Sequence, residues 1–118
     1  TIAPTAVGGS VPFAPDTTIA ALKEMRSRYG DRLFGQYGFY DAFNPTWSLD
    51  ETPPDGGQTT PQGWFETEYL GIDQGPILTM IENHRTGLIW SLMRENPHVV
   101  RGLCRADFSG GWIEGRCE

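Results

Sequence analysis

The sequence of 118 residues contains few cysteines, few basic residues and no long apolar run. No stretch approaches the roughly 18 consecutive apolar residues that a membrane-spanning helix needs, so we expect no membrane span. Nine Lys and Arg residues stand against 15 Asp and Glu, which gives a net charge of -6. Because a nucleic-acid partner would require a basic surface, we expect none.

Cysteine is limited to two residues, Cys104 and Cys117, which both lie near the C-terminal end. A disulfide between them would suit an exported protein, and two free thiols are equally compatible with the sequence. The two histidines, His84 and His98, do not fall in a pattern that could join the cysteines in a metal site. We therefore expect no metal and no other cofactor.

The first residues, Thr1-Ile2-Ala3-Pro4, include no methionine, no basic segment and no apolar segment. They match neither a translation start nor a secretory signal peptide. We expect the chain to be part of something longer or a processed product. Its length predicts at most one domain.

Glycine and proline are abundant instead, with 15 and 9 residues, and they concentrate in the first 15 residues and in the stretch 44–63. Four Trp, six Phe and four Tyr accompany them. Aromatic rings among such loops are typical of a surface that binds carbohydrate, although core packing explains any single ring equally well. Residues 1–15 are predicted to be an extended segment across a core or the tail of a helix, and 45–63 a loop.

Three helices are predicted from the spacing of apolar residues, over residues 16–29, 73–95 and about 97–106. Pro15 suits the first turn of the first helix, and Gly30 suits its C-terminal stop. The aromatic and glycine-rich stretch 33–44 predicts short extended pieces between the first two helices.

The second predicted helix is unusual because its middle is polar. Asp73 is its predicted N-cap, since a carboxylate can accept hydrogen bonds from the free N–H groups of a first turn. Apolar residues continue on both sides of Gly87, yet residues 82–85 (Glu-Asn-His-Arg) interrupt them. We expect this polar segment to be buried against helices that the chain does not contain.

Two stretches, residues 37–45 (YGFYDAFNP) and 69–87 (YLGIDQGPILTMIENHRTG), resemble the glycoamylase-like family. The resemblance runs from about residue 2 to about residue 108 and leaves 109–118 as an irregular tail. It implies an all-α (α/α)6 toroid, in which inner helices are ringed by outer ones. Twelve helices of about 11 residues need about 132 residues, so we expect residues 1–108 to be the C-terminal portion of such a domain. About three helices with long aromatic Gly/Pro-rich loops would be present, and the missing N-terminal part would be a partner.

Members of that family include enzymes that cleave β-1,2-glucan and a domain of cyclic β-1,2-glucan synthases. The resemblance therefore implies part of a glycoside hydrolase that acts on an oligo- or polysaccharide, with β-1,2-glucan as the expected substrate and a periplasmic or secreted location. The chain alone is expected to be inactive, and its parent could be a transglycosylase. The alternative is a non-catalytic carbohydrate-binding or assembly fragment.

Glycoside hydrolysis needs two carboxyl groups, and the predicted catalytic residues are Asp73 and Asp41. Asp73 would lie at the sugar-facing end of an inner helix, whereas Asp41 could instead form a local turn with the backbone. Glu82 lies about 13 Å further along the helix than Asp73 and is predicted to be structural. Sugar rings stack on aromatic faces and bond to polar edges, so the predicted substrate-binding residues are Phe39, Tyr40, Asn44, Trp47, Trp64, Tyr69 and Gln74.

Overall fold

The computed structural model describes residues 1–52 and 56–117, and the predicted loop 45–63 is described only in those parts because 53–55 lie outside them. The helices of the described chain are α1 Pro4–Gly9, α2 Pro15–Tyr29, α3 Gly71–Thr86, α4 Leu88–Glu95 and α5 Pro97–Arg105. The strands are β1 Phe34–Gly35, β2 Gly38–Phe39, β3 Phe43–Asn44, β4 Gln58–Thr60 and β5 Gly63–Phe65. Short 3-10 turns cover Gly30–Arg32 and Gly111–Ile113.

The N-terminal segment is not extended, and the helical alternative is the closer one. Pro4 occupies the first helical position of α1, where its fixed φ angle suits the helix and its missing N–H is not needed. A Cβ atom on Gly8 would lie 3.1 Å from the Ile77 side chain, so this glycine lets α1 pack closely on α3. The helix predicted over 16–29 is confirmed as α2, with its Glu24–Arg28 ion pair at 2.7 Å.

Two small antiparallel sheets correct the all-α prediction. Strands β1 and β2 form a hairpin, and the second sheet has the order β3-β5-β4. The extended pieces predicted over 33–44 are therefore confirmed, whereas the loop predicted over 45–63 contains β4 and the start of β5. Strands of two or three residues are too short to show the alternation that marks a strand in a sequence.

Gly63 begins β5 directly after the two-residue turn that joins it to β4. Its φ angle is +114°, and a Cβ atom there would collide with the Asn44 carbonyl. Only glycine combines this backbone conformation with such a close approach of a neighbouring strand.

The buried core is small and aromatic. Leu33, Phe43 and Phe65 have at most 1% of their surface exposed. The Tyr29 ring of α2 packs against Phe43 at 4.8 Å and against Phe65 at 5.4 Å between ring centroids. This cluster fixes the three-stranded sheet against α2 and so determines where the segment between β2 and β3 runs.

The predicted single helix over 73–95 is divided into α3 and α4 by Gly87, which adopts the left-handed conformation with a φ angle of +69°. The Asn83 side chain, which is only 4% exposed, accepts a hydrogen bond of 2.9 Å from the Trp90 N–H in the first turn of α4. An amide oxygen in this role satisfies a donor that the broken helix leaves free.

The polar middle of the predicted helix is thus explained largely by partners within the chain. Asn83 caps α4, and Glu82 accepts hydrogen bonds from Thr86 at 2.7 Å and from Arg85 at 3.4 Å. His84 and Arg85 are exposed. The prediction that helices outside the chain cover this segment stays a prediction.

The C-terminal part confirms the third predicted helix as α5, whose N-cap Asn96 accepts a hydrogen bond of 2.9 Å from the His98 N–H. Cys104 of α5 and Cys117 form a disulfide with a Cα–Cα distance of 5.3 Å. The predicted irregular tail therefore contains one 3-10 turn and is tied to α5. Among the described helices, none has the length and apolar character required to cross a membrane.

The chain is elongated, with principal extents of 60 × 27 × 22 Å. Its radius of gyration is 18.5 Å, compared with about 13.5 Å for a compact domain of this length. Large apolar side chains remain exposed along α3 and α4, namely Ile72, Leu78, Ile81, Leu88, Leu92 and Met93. The two helices therefore present an apolar surface that no described residue of the chain covers.

Candidate active site

The two predicted catalytic residues, Asp41 and Asp73, are brought together by different parts of the fold. Asp41 lies between β2 and β3, and its backbone N–H donates to the Glu68 carbonyl at 3.3 Å. Asp73 lies in the first turn of α3. Both side chains are half-buried, and the charge of Asp73 acts on the carboxyl group of Asp41. The sequence separates these residues, so only the packing of α3 beside the β2–β3 segment unites them.

Asp73 does not cap α3, which corrects one part of the prediction. The N-cap residue is Leu70, and the N–H of Asp73 donates to the Leu70 carbonyl at 3.0 Å. A negative charge in the first turn is still favoured by the helix dipole. The Asp73 carboxylate is therefore free of capping contacts and can interact with Asp41.

The environment of Asp41 favours the protonated form of its carboxyl group. Burial raises the pKa of Asp41, and the negative charge of Asp73 raises the pKa further. The charge of Glu66 and a hydrogen bond with the Asp73 carboxyl act in the same direction. A hydrogen bond from the Thr5 hydroxyl opposes them. Asp41 is thus the member of the pair that is suited to carry a proton.

Three tyrosines form a group around Tyr69, and one of them, Tyr40, directly precedes Asp41 in the chain. The Tyr40 and Tyr69 rings are tilted against each other at 4.8 Å, and the Tyr37 ring meets Tyr69 edge-on at 5.4 Å. The Tyr69 hydroxyl accepts a hydrogen bond of 3.3 Å from the Tyr37 N–H, and hydrogen bonding with Tyr69 raises the pKa of Tyr40.

Gln74 and Phe39 connect the tyrosines to α3. The Gln74 side chain donates a hydrogen bond of 3.0 Å to the Phe39 carbonyl, and the Phe39 ring packs edge-on against Phe34 at 4.9 Å. These contacts hold β2 over the start of α3. In this chain both residues support the position of the pair rather than presenting a free binding group.

The remaining predicted binding residues lie on the three-stranded sheet or directly after its strand β3. Trp64 is 5% exposed and donates to the Gly56 carbonyl at 3.2 Å, so its ring belongs to the interior. Asn44 accepts hydrogen bonds from the N–H and hydroxyl groups of Thr46, which is a local turn. Trp47 is half-buried, and its indole N–H has no acceptor among the described residues. The binding of a ligand by these three residues stays a prediction.

Residues 1–97 match the Glycoamylase family model, which is described as putative glucoamylase. The chain belongs to the glycoamylase family. An exo-β-1,2-glucooligosaccharide sophorohydrolase (non-reducing end) of Parabacteroides distasonis is 36% identical to it over 103 residues. That match covers 87% of this glycoamylase-family chain and 12% of the relative.

Solved structures of two relatives have the same local fold as this glycoamylase-family chain. One, described as a putative glucoamylase from Bacteroides uniformis, has a TM-score of 0.73 at 44% identity. The other, an endo-β-1,2-glucanase from Chitinophaga pinensis in complex with sophorotriose and glucose, has a TM-score of 0.73 at 37% identity. Each comparison covers 94% of this chain and 23% of the solved chain. The chain therefore spans less than a quarter of the length of these relatives.

Three residues of the candidate site escaped the sequence analysis. Thr5 contacts Asp41, but the segment that contains it carried only one helical signal, the proline at position 4. Tyr37 contacts Tyr69. It belongs to the motif over residues 37–45 but is not among the predicted site residues. A Cβ atom on residue 35 would collide with the hydroxyl groups of Tyr40 and Tyr69, so the glycine at this position allows the two hydroxyls to lie close together. A glycine inside an aromatic strand is the signal that could have revealed it.

Gly35→Ala is therefore expected to separate the Tyr40 and Tyr69 hydroxyls and to destabilise the fold by about 1–3 kcal/mol, the usual cost of overpacking. In an active preparation, KM for the substrate should rise. The matched control is Gly75→Ala in α3, where a Cβ atom meets nothing within 4 Å. Denaturant unfolding and substrate kinetics of both variants check the prediction, and equal behaviour of the two would contradict it.

Proposed function

We propose that this chain is the C-terminal portion of an (α/α)6 glycoside-hydrolase domain that cleaves β-1,2-linked glucan. The observation that carries the proposal is the half-buried Asp41 carboxyl group, whose pKa is raised by burial and by the charge of Asp73. The names of two relatives, a sophorohydrolase and an endo-β-1,2-glucanase, support the choice of substrate. The ligand is accordingly an oligo- or polysaccharide.

Asp41 is the proposed general acid. A general acid must hold a proton at the working pH, and burial next to a second carboxylate supplies that condition. Asp41 would donate its proton to the glycosidic oxygen as the bond to the sugar carbon breaks. Before this proton transfer, the Asp73 carboxylate would favour the protonated form of Asp41.

We propose that the second catalytic carboxylate comes from the remainder of the domain, in place of the predicted pairing of Asp41 and Asp73 as the two catalytic groups. Carboxyl groups that flank a glycosidic bond are separated by about 5–9.5 Å, because the sugar, and in inverting enzymes also a water molecule, lies between them. Asp73 is proposed instead to act on Asp41, because its charge raises the pKa of that carboxyl group. The pair therefore acts on one side of the bond, and the remainder of the domain supplies the other side.

The remainder of the domain is the proposed partner of the apolar surface on α3 and α4. Ile72 and Leu78 are 82% and 74% exposed in the chain, which is unusual for large apolar side chains in one group. In a toroid, both faces of an inner helix contact other helices. Covering this surface would complete the domain and bring the opposing carboxylate to the site.

Two other functions use the same residues. A transglycosylase would pass the cleaved sugar to a carbohydrate hydroxyl instead of water, and product analysis distinguishes the two reactions. A non-catalytic carbohydrate-binding fragment is favoured by the tyrosine hydroxyls, which can bind a sugar without any proton transfer. In that case the assembled domain would bind β-1,2-glucan and release no reducing ends.

A periplasmic or secreted location is also proposed, because disulfides persist in oxidising compartments. The Cys104–Cys117 disulfide supports it. Alkylation of the protein taken from its native host, followed by mass measurement, should find no free thiol before reduction. Two freely alkylated cysteines would contradict the proposal.

The experiment that tests the function is a reducing-sugar assay on the assembled domain with a panel of glucans of different linkage. We expect new reducing ends with β-1,2-glucan and none with α-1,4-, β-1,3- or β-1,4-linked glucans. Activity on another linkage alone would refute the proposed substrate, and binding without turnover would establish the non-catalytic alternative.

A further inference from the structure

Thr5 in the first turn of α1 is buried next to the carboxyl pair. It is 3% exposed, and its hydroxyl lies 3.4 Å from both the backbone carbonyl and Oδ1 of Asp41. A threonine hydroxyl has one proton, so it can donate to only one of these oxygens at a time. When Asp41 is ionised, the carboxylate oxygen is the stronger acceptor.

The position of Thr5 is set by the packing of α1 on α3. Gly8 lies one helical turn after Thr5 and faces Ile77 of α3, where a Cβ atom would lie 3.1 Å from the Ile77 side chain. A Cβ atom on Gly9 would make an ordinary van der Waals contact of 3.8 Å with Pro76. Because α3 also carries Asp73, the contact between α1 and α3 fixes Thr5 relative to both members of the pair.

We propose that Thr5 is a positioning residue, whose hydroxyl holds the Asp41 carboxyl in place beside Asp73. The inference rests on the proposed role of Asp41 as the general acid and extends it to a residue that does not touch the substrate. A buried hydroxyl that bonds only to its own helix would have no such effect.

The groups that face Asp41 determine in which direction the loss of the Thr5 hydroxyl shifts the pKa of Asp41. Asp73 from α3 and Glu66 at the end of β5 are both negative and favour the protonated carboxyl. The Thr5 hydrogen bond favours the ionised carboxyl and so lowers the pKa of Asp41, and no cation of the described chain contributes. Removing the hydroxyl should therefore move the alkaline limb of the pH–rate profile to higher pH.

The test is the pH dependence of kcat/KM on β-1,2-glucan for Thr5→Val and Thr5→Ser in the assembled domain. Thr5→Val should shift the alkaline limb upward and lower kcat/KM at the optimum by about tenfold, the effect of one ordinary hydrogen bond. Thr5→Ser keeps the hydroxyl and should restore the wild-type profile. Thr5→Ala replaces the valine variant if that protein does not fold.

Thr18→Val is the matched control. Thr18 is also a buried helical threonine, at 8% exposure, but its hydroxyl donates to the Ala14 and Pro15 carbonyls of its own helix. Its removal should leave the pH profile unchanged. An unshifted alkaline limb in the valine or alanine variant, while Asp41→Asn still abolishes turnover, would overturn the role of Thr5 and leave that of Asp41 intact. Full turnover in Asp41→Asn would instead refute the proposed function itself.

Discussion

Asp41→Asn should lower kcat on β-1,2-glucan by about 10²- to 10⁴-fold in the assembled domain, which is the usual contribution of a general acid. Asparagine keeps the shape and the turn-forming ability of the side chain but cannot donate a carboxylic proton to the leaving oxygen. Steady-state kinetics of the purified variant measure the loss. The control is Asp50→Asn, because Asp50 is exposed in the loop after β3 and should be silent.

The same substitution should raise the stability of the fold at neutral pH. The pKa of Asp41 is raised in the folded chain, so the ionised carboxylate is disfavoured there relative to the unfolded chain. This cost is fully present above the folded pKa and disappears as the pH falls below the unfolded pKa. Thermal unfolding of the assembled domain should show a higher Tm for Asp41→Asn near pH 7 and a smaller difference in acid, and a lower Tm near pH 7 would contradict the environment described for Asp41.

Asp73→Asn should lower the pKa of Asp41, whereas removal of the Thr5 hydroxyl should raise it. Without the charge of Asp73, the pKa of Asp41 falls, and the alkaline limb of the pH–rate profile moves to lower pH. Turnover should fall as well, because less of Asp41 carries a proton at the working pH. Unchanged turnover and an unchanged profile would remove Asp73 from the site.

The isolated chain should not melt as a cooperative monomer, which is the second large effect we expect. Its accessible surface is 7974 Å², compared with about 6400 Å² for a compact monomer of this mass. Its fully buried side chains are confined to a few residues, and α3 and α4 expose apolar side chains along their length. Circular dichroism melting combined with sedimentation should show either a broad, non-cooperative transition or association.

Leu78→Ser provides a sharper form of this prediction, since Leu78 is exposed in the chain but belongs to the surface proposed to be covered. The substitution should leave the isolated chain unaffected and destabilise the assembled domain by about 2–5 kcal/mol, as a large-to-small core change does. A sharp monomeric transition of the isolated chain, or an equal effect of Leu78→Ser in both preparations, would contradict the need for a covering partner.

The helices were predictable where the sequence itself contains their start and stop signals. Helix α2 has Pro15 and Gly30, and α5 follows the Asn96-Pro97 pair. The break between α3 and α4 was not predicted, because apolar spacing continues across it and one left-handed glycine decides the geometry. Asn83 contributes to that break through a contact seven residues away, which a local pattern does not reveal.

The candidate site was predictable in its residue types and only partly in its geometry. Asp41 and Asp73 could be proposed from the motifs that contain them, but the effect of the Asp73 charge on Asp41 depends on how α3 packs beside β2 and β3. The same is true of Thr5, whose role depends on the close approach of α1 to α3. The burial of Trp64 depends on the pairing of β5 with β3 and β4, which the sequence does not reveal.

The most direct test of the central claim is whether Asp41 protonates the leaving group. The measurement compares kcat/KM of wild type and Asp41→Asn on β-1,2-glucan and on a dinitrophenyl glycoside of a β-1,2-linked glucose disaccharide, whose leaving group needs no proton. The account predicts a loss of about 10²- to 10⁴-fold on the glucan and little loss on the activated substrate. Equal losses on both substrates, or no loss on the glucan, would contradict it.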